Sequence, residues 1–171
     1  MLNEAKIKYE VTPLTIAIIA EETRNGHPTA RLMEDNDSFI IHQTPSKVID
    51  LACKFFGSSL KGRQEGTKDV CGITHKAPIS IDPTSGMYFF PTSSPQSPNC
   101  SWISHSHIDN IERESQNATH IYFKNGKSII VSVSYGSILN QVQRTAQFRY
   151  LLDKRIKYLW KNQADRVAEP F

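Results

Sequence analysis

The strongest constraint on the fold is a pair of alternating segments around one dipeptide. Polar and apolar residues alternate over residues 119–124 and 127–133, and Asn125-Gly126 lies between the two segments. Asn-Gly favours the two-residue turns of antiparallel hairpins, because both residues accept positive φ angles. The sequence therefore predicts a β-hairpin, which commits this part of the chain to an antiparallel sheet.

A long helix is predicted directly after this hairpin, over residues 135–161. Ser134 or Ser137 can cap its first turn. Leu151 and Tyr158 point away from its main apolar side, which leaves room for a second contact with the core or with a partner chain. The heptad register is imperfect, so a coiled coil is not predicted. The main apolar side has helical spacing and is formed by Ile138, Val142, Ala146, Leu152, Ile156 and Leu159.

Short segments rich in β-branched and aromatic residues predict the remaining strands. A short helix is predicted near residues 45–56, with Thr44 or Ser46 as its cap and Gly57 as its end. The fold class is therefore α+β, a mostly antiparallel sheet with one short and one long helix, in a single domain. The strands are expected at residues 6–11, 14–20, 38–42, 78–81, 87–90 and 101–108, with loops at 23–29, 57–68 and 91–99, and the β-rich part spans 1–134 of 1–171.

Composition excludes several classes of protein. Hydrophobic residues make up 39% and charged residues 22% of the 171 residues, as in ordinary folded domains. The N-terminus carries acidic residues and lacks the apolar region of a secretory signal. Three cysteines without such a signal favour reduced thiols in a cytoplasm. We therefore expect a cytoplasmic protein that does not enter a membrane.

The charge is distributed in blocks. Residues 47–76 carry a net charge of +3 and residues 115–161 a net charge of +7. Acidic blocks, each with a net charge of −3, lie at residues 1–46 and 77–114. A basic block can meet nucleic acid or another acidic partner, or it can be a solvated helix face that acidic residues balance elsewhere.

The predicted loop 57–68 combines the groups that bind phosphate. Its glycines would let a backbone approach closely, while its hydroxyl and cationic side chains would donate hydrogen bonds. The alternative is a flexible surface loop. The start of the long helix is similarly polar and basic, and Lys127 lies beside the hairpin turn. The candidate DNA-binding residues are Ser58, Ser59, Lys61, Arg63, Thr67, Lys68, Lys127, Gln141, Arg144 and Arg149.

Cysteine and histidine residues suggest a second kind of site. Their spacing could supply a tetrahedral zinc, or a cysteine nucleophile with a histidine base and Asp109 as orienting group. No Cys-x2-Cys pair is present, and buried thiols with hydrogen-bonded histidines are the plainer interpretation. We therefore assign no metal, cofactor or catalytic residue. The residues in question are Cys53, Cys71, His75, Cys100, His105 and His107.

Five ordered blocks of the sequence resemble the ComK family, the competence transcription factors of Gram-positive bacteria. The resemblance runs from about residue 10 to about residue 155 and includes Asn125-Gly126-Lys127. The blocks are CKFFGSSLKGRQEGTK (53–68), ITHKAPISIDP (73–83), FFPTSS (89–94), CSWISHSHI (100–108) and SYGSILNQVQRTA (134–146).

The resemblance implies a DNA-binding activator of genes for DNA uptake. Family members bind paired AT-rich boxes, largely from the minor groove, as a homodimer or higher homo-oligomer, and so associate with the nucleoid. RNA polymerase and the adaptor of a Clp-type protease are further implied partners. Larger members continue beyond the long helix with a segment tied to turnover, whereas this chain ends at VAEPF. Control by the adaptor is therefore left open.

These implications suggest a role for each basic residue. The narrow minor groove of AT tracts attracts inserted cationic side chains, and Arg63 is the candidate for insertion. Lys61 and Lys68 would contact flanking phosphates, and Arg144 and Arg149 would contact the DNA backbone. Two alternatives stay open: a zinc- or thiol-dependent hydrolase that uses the Cys/His residues, and a basic protein-interaction domain.

Overall fold

The computed structural model describes residues 10–168, apart from the side chains of residues 23–24 and 165–168. This part of the chain forms two antiparallel sheets and three helices, which confirms the predicted α+β class. Within it, no helix is both long and apolar enough to cross a bilayer. Residues 6–9 of the first predicted strand lie outside the described residues, and residues 10–11 are not in a strand.

The first sheet has six strands in the order β3-β2-β1-β6-β5-β4. The predicted loop at residues 23–29 is instead a tight turn between β1 and β2. Asn25 and Gly26 have φ angles of 52° and 75°, so this Asn-Gly pair makes a hairpin like the one predicted further along. The strands predicted at residues 78–81 and 87–90 are present as β4 and β5, which pair antiparallel as a hairpin. The strands are β1 (Thr15–Arg24), β2 (His27–Glu34), β3 (Ser38–Ile41), β4 (Ile79–Asp82), β5 (Met87–Pro91) and β6 (Trp102–Ser104).

The second sheet has three strands in the order β7-β8-β9, and it contains the predicted Asn125-Gly126 hairpin. The single strand predicted at residues 101–108 is wrong. Strand β6 ends at Ser104, a 3-10 turn follows at His105–His107, and the chain then enters the second sheet. The strands are β7 (Ile108–Ser115), β8 (Ala118–Phe123) and β9 (Ser128–Val131).

Two of the three helices match the predictions. Helix α1 (Pro45–Phe55) is capped by Thr44, and Gly57 follows its end with a φ angle of +85°. Helix α3 (Tyr135–Ala168) begins after Ser134, whose Oγ accepts a hydrogen bond from the Ser137 backbone amide at 3.4 Å.

Helix α2 (Leu60–Cys71) contradicts the predicted loop at residues 57–68. The glycines that suggested a loop are tolerated because both ends of the helix are well capped. The Ser59 side chain accepts from the Gly62 amide at 2.9 Å, and Gly72 ends the helix with a φ angle of +76°. Thr67 has no exposed surface, so contacts with the rest of the protein hold the helix in place.

The first sheet is covered on both faces, because successive residues of a strand point to opposite sides. Phe89 and Trp102 belong to a core that packs against α1. Their neighbours Phe90 and Ile103 belong to a second core with the three-stranded sheet and with Ile138 of α3. Helix α2 contacts α1, β4 and α3, so it lies at the margin of the first core.

Candidate nucleic-acid interface

The start of helix α2 is already occupied by protein groups. The Leu60 amide donates to Asp50 Oδ1 at 3.0 Å, and the Gly62 amide donates to Ser59 Oγ. The Leu60 hydrogen bond is the main reason that the pKa of Asp50 is lowered. Ser58 lies half-buried in the linker between α1 and α2. The amides that could have held a phosphate at this helix start are therefore largely used inside the protein.

Lys61 and Lys68 are the exposed cations of α2. Neither makes an ion pair with a described residue. Seven residues are nearly two full turns, so the two lysines lie on the same side of the helix, about 10 Å apart along its axis. The helix thus presents two lysines without ion pairs to solvent, with the exposed Glu65 between them on the same side.

Arg63 points inward. Its Nη2 atom donates to the Ile81 carbonyl at 3.2 Å and approaches the Phe56 carbonyl at 3.5 Å. Its Nε atom is buried without a hydrogen-bond partner in the described part of the chain. The side chain therefore joins α2 to the end of α1 and to β4, and insertion into DNA would require it to leave both carbonyls.

Thr67 is a structural residue in this arrangement. Its Oγ1 atom donates toward the Pro78 carbonyl at 2.6 Å and lies 3.1 Å from the Arg63 carbonyl. Because the residue is fully buried, its hydroxyl cannot reach a ligand outside the protein.

Gln141 and Arg144 of α3 hold the loop between α2 and β4. Gln141 is 4% exposed, and its Nε2 atom donates to the Lys76 and Pro91 carbonyls at 2.9 and 2.8 Å. Arg144 donates to Gln141 Oε1 at 2.7 Å and to the His75 carbonyl at 2.6 Å. Burial of the Arg144 guanidinium is the main reason that its pKa is lowered.

Arg149 joins α3 to the turn between the two sheets. Its Nη1 atom lies 3.0 Å from His105 Nδ1 and 2.9 Å from Ser106 Oγ, and its guanidinium carbon lies 4.7 Å from the centre of the Tyr88 ring. Burial and the nearby Arg149 charge lower the pKa of His105 to about 4. The imidazole is therefore neutral at physiological pH, as an acceptor of the Arg149 hydrogen bond must be.

Lys127 also bonds to the protein. Its Nζ atom donates to the Glu34 carbonyl at 3.1 Å, and the neighbouring Asn125 side chain donates to the Asp35 carbonyl at 3.2 Å. These contacts attach the second hairpin to the end of β2. The structure therefore brings Ser58, Ser59, Lys61, Arg63, Thr67 and Lys68 together on or beside α2, while Lys127 and Arg149 bond elsewhere in the protein.

The cysteine and histidine residues do not form a common site. Among residues 10–168, no three His, Cys, Asp or Glu side chains are grouped closely enough to hold a metal ion. Burial raises the pKa of Cys53 to about 12 and also raises the pKa of Cys100. Such thiols stay protonated at neutral pH, which makes them poor nucleophiles.

One exposed segment is absent from the predicted DNA-binding residues, although it lies in the family block 73–83 and His75 was considered for a metal or catalytic site. Thr74, His75 and Lys76 are all exposed, in the loop whose carbonyls Gln141 and Arg144 hold. The segment contains a single lysine, so neither charge density nor periodicity distinguishes it. Only the packing of α3 behind the segment, through Gln141 and Arg144, fixes its position.

Comparisons with known proteins agree with one another. The family model described as ComK protein matches residues 6–157. A protein of Bacillus subtilis (strain 168), described as "Competence transcription factor", is 39% identical over 150 residues, which cover 88% of this chain and 78% of that protein. No solved structure matches the chain significantly.

Proposed function

Since this chain belongs to the ComK family, we propose that it is a transcription factor that activates competence genes by binding DNA. The relative in Bacillus subtilis carries the name of such a factor, and neither comparison points to an enzyme. We further propose that it binds paired AT-rich boxes, mainly through the minor groove, as an oligomer in the cytoplasm.

The observation that carries the proposal is the exposed pair Lys61 and Lys68 on α2. Unpaired lysines in a row are suited to neighbouring phosphates of one DNA strand, because each charge releases a counterion on binding. By contrast, the arginines among the candidate residues donate to groups inside the protein. We therefore propose α2 as the element that follows the DNA backbone.

The test compares binding to an AT-tract duplex and to a GC-rich duplex of equal length, at several salt concentrations. Wild-type protein should prefer the AT duplex and show a steep dependence on salt. The double variant Lys61→Gln/Lys68→Gln should weaken binding to both duplexes and reduce the salt slope by about 2, because each phosphate contact contributes about 0.9.

Lys124→Gln is the matched control, since Lys124 is an exposed lysine in the turn between β8 and β9 without an ion pair among the described residues. It removes the same charge and should leave the salt slope unchanged. An unchanged slope in the double variant would show that α2 does not contact the phosphates. Equal, weak binding of wild type to both duplexes would refute sequence-preferring DNA binding.

Insertion of Arg63 into the groove stays a prediction that the same assay tests. Arg63→Ala removes the contacts to the Ile81 and Phe56 carbonyls, so its folded fraction must be checked first. If the folded variant keeps the AT preference, Arg63 acts only within the protein.

Two-fold dimers are the commonest oligomers, and sedimentation with one box and with two boxes would show how many subunits bind. Roles of RNA polymerase and a Clp-protease adaptor remain predictions from the family.

A further inference from the structure

Lys76 has an unusual backbone conformation for a lysine. Its φ angle is +49°, and Asn25 is the other non-glycine residue with a positive φ angle in residues 10–168. Asn25 belongs to an Asn-Gly turn, where such angles are ordinary, but a lysine in this region meets a steric penalty at Cβ. Glycine would adopt the same backbone without that penalty. The position therefore carries a side chain at a cost to stability.

The surrounding structure holds this conformation firmly. The carbonyls of His75 and Lys76 are bonded by Arg144 and Gln141, two side chains of α3 that also bond to each other. Gln141 is buried, and its Nε2 atom also donates to the Pro91 carbonyl of β5. Residues in strained conformations that their surroundings fix in this way are concentrated at functional sites.

The side chains of the segment point outward from this fixed backbone. Thr74, His75 and Lys76 are exposed, whereas Ala77 and Pro78, which follow them, are buried. Lys76 makes no ion pair with a described residue. Lys76 is thus a third exposed lysine without an ion pair to a described residue, after Lys61 and Lys68.

We infer that Lys76 and its neighbour His75 are DNA-contacting residues, inserted into the narrow minor groove of AT-rich sites. This inference rests on the proposed function and adds a contact that no family resemblance assigns. Lysine and histidine are among the side chains that the negative potential of a narrow minor groove attracts. A rigid loop loses little conformational freedom when it binds, so the hydrogen bonds from Gln141 and Arg144 favour insertion.

The decisive variant is Lys76→Gly, because stability and binding should change independently. The melting temperature should be unchanged or higher, since the steric penalty at Cβ is removed. Affinity for the AT duplex should fall about 5- to 150-fold, as expected for the loss of one inserted side chain, and the ratio of AT to GC affinity should fall toward one.

Lys76→Gln and Lys124→Gln separate a specific contact from a general loss of charge. The glutamine variant at position 76 should lose AT preference, while the control at position 124 should retain it. If Lys76→Gln and Lys124→Gln reduce the affinity for both duplexes by the same small factor, the inference is wrong and the proposed function stands. If wild-type protein shows no DNA preference in this assay, the proposed function fails and the inference fails with it.

Discussion

His105 is a partly buried base whose protonation opposes folding. Burial, followed by the positive charge of Arg149, lowers its pKa from 6.5 to about 4. The unfolded chain therefore binds a proton between pH 6.5 and pH 4 that the folded protein does not bind. The stabilising effect of the neutral imidazole is complete above pH 6.5, and it is lost progressively as the pH falls through this window.

We predict that His105→Asn reduces the acid sensitivity of the fold. Asparagine can still accept a hydrogen bond from Arg149 but has no proton to gain. Between pH 7.5 and pH 4.5, urea unfolding should show wild type losing more stability than the variant, by on the order of 1 kcal/mol after allowance for solvent screening. Identical losses in the two proteins would contradict the pKa assigned to His105.

At the scale of elements, helix α2 shows how capping and burial outweigh weak helix propensity. Gly62 and Gly66 lie inside it, and a glycine within a helix is destabilising relative to alanine. The helix forms because Ser59 and Gly72 satisfy its ends and Thr67 is buried against the loop before β4. Its stability therefore depends on contacts that are distant in sequence.

Gly66→Ala should stabilise the protein by about 0.5–1 kcal/mol. An added Cβ at this position meets no atom within 4 Å, and the backbone there is not left-handed. Chemical denaturation measures the change. Gly72→Ala is the control: its φ angle of +76° predicts a loss of about 1–2 kcal/mol. Destabilisation by Gly66→Ala would mean that neighbouring groups use the space beside α2.

At the scale of the whole molecule, the two sheets are joined by the short turn at His105–His107, and α3 packs beside this turn. Arg149 links these parts through His105, Ser106 and the Tyr88 ring. The second core holds the two sheets together, and Arg149 adds contacts from a third element to the turn between them.

Arg149→Met should lower the free energy of unfolding by about 1–3 kcal/mol, because a partly buried charged hydrogen-bond network loses its donor. Arg155→Met is the control, since Arg155 pairs with the exposed Asp69 and such pairs contribute about 1 kcal/mol or less. Thermal or urea unfolding distinguishes the two.

We also expect Arg149→Met to keep the salt slope of DNA binding, and a decrease of about 1 would instead indicate a phosphate contact.

Elements with local signals were predictable from the sequence. The Asn125-Gly126 turn, the Thr44 cap of α1 and the apolar side of α3 each act over a few neighbouring residues. Strand β7 was missed because it lies at the edge of a sheet and is mostly exposed, so its sequence lacks a clear apolar alternation.

The candidate site was only partly predictable, for a physical reason. Sequence by itself determined that residues 57–68 and 135–161 carry basic residues, because charge is a property of each side chain. Only the tertiary structure decided which charges are free, because a guanidinium can bind a backbone carbonyl as well as a phosphate. Arg63 and Arg144 bind carbonyls brought to them by β4 and by the loop before it. Lys61, Lys68 and Lys76 are left facing solvent, since no acidic group in the described part of the chain pairs with them.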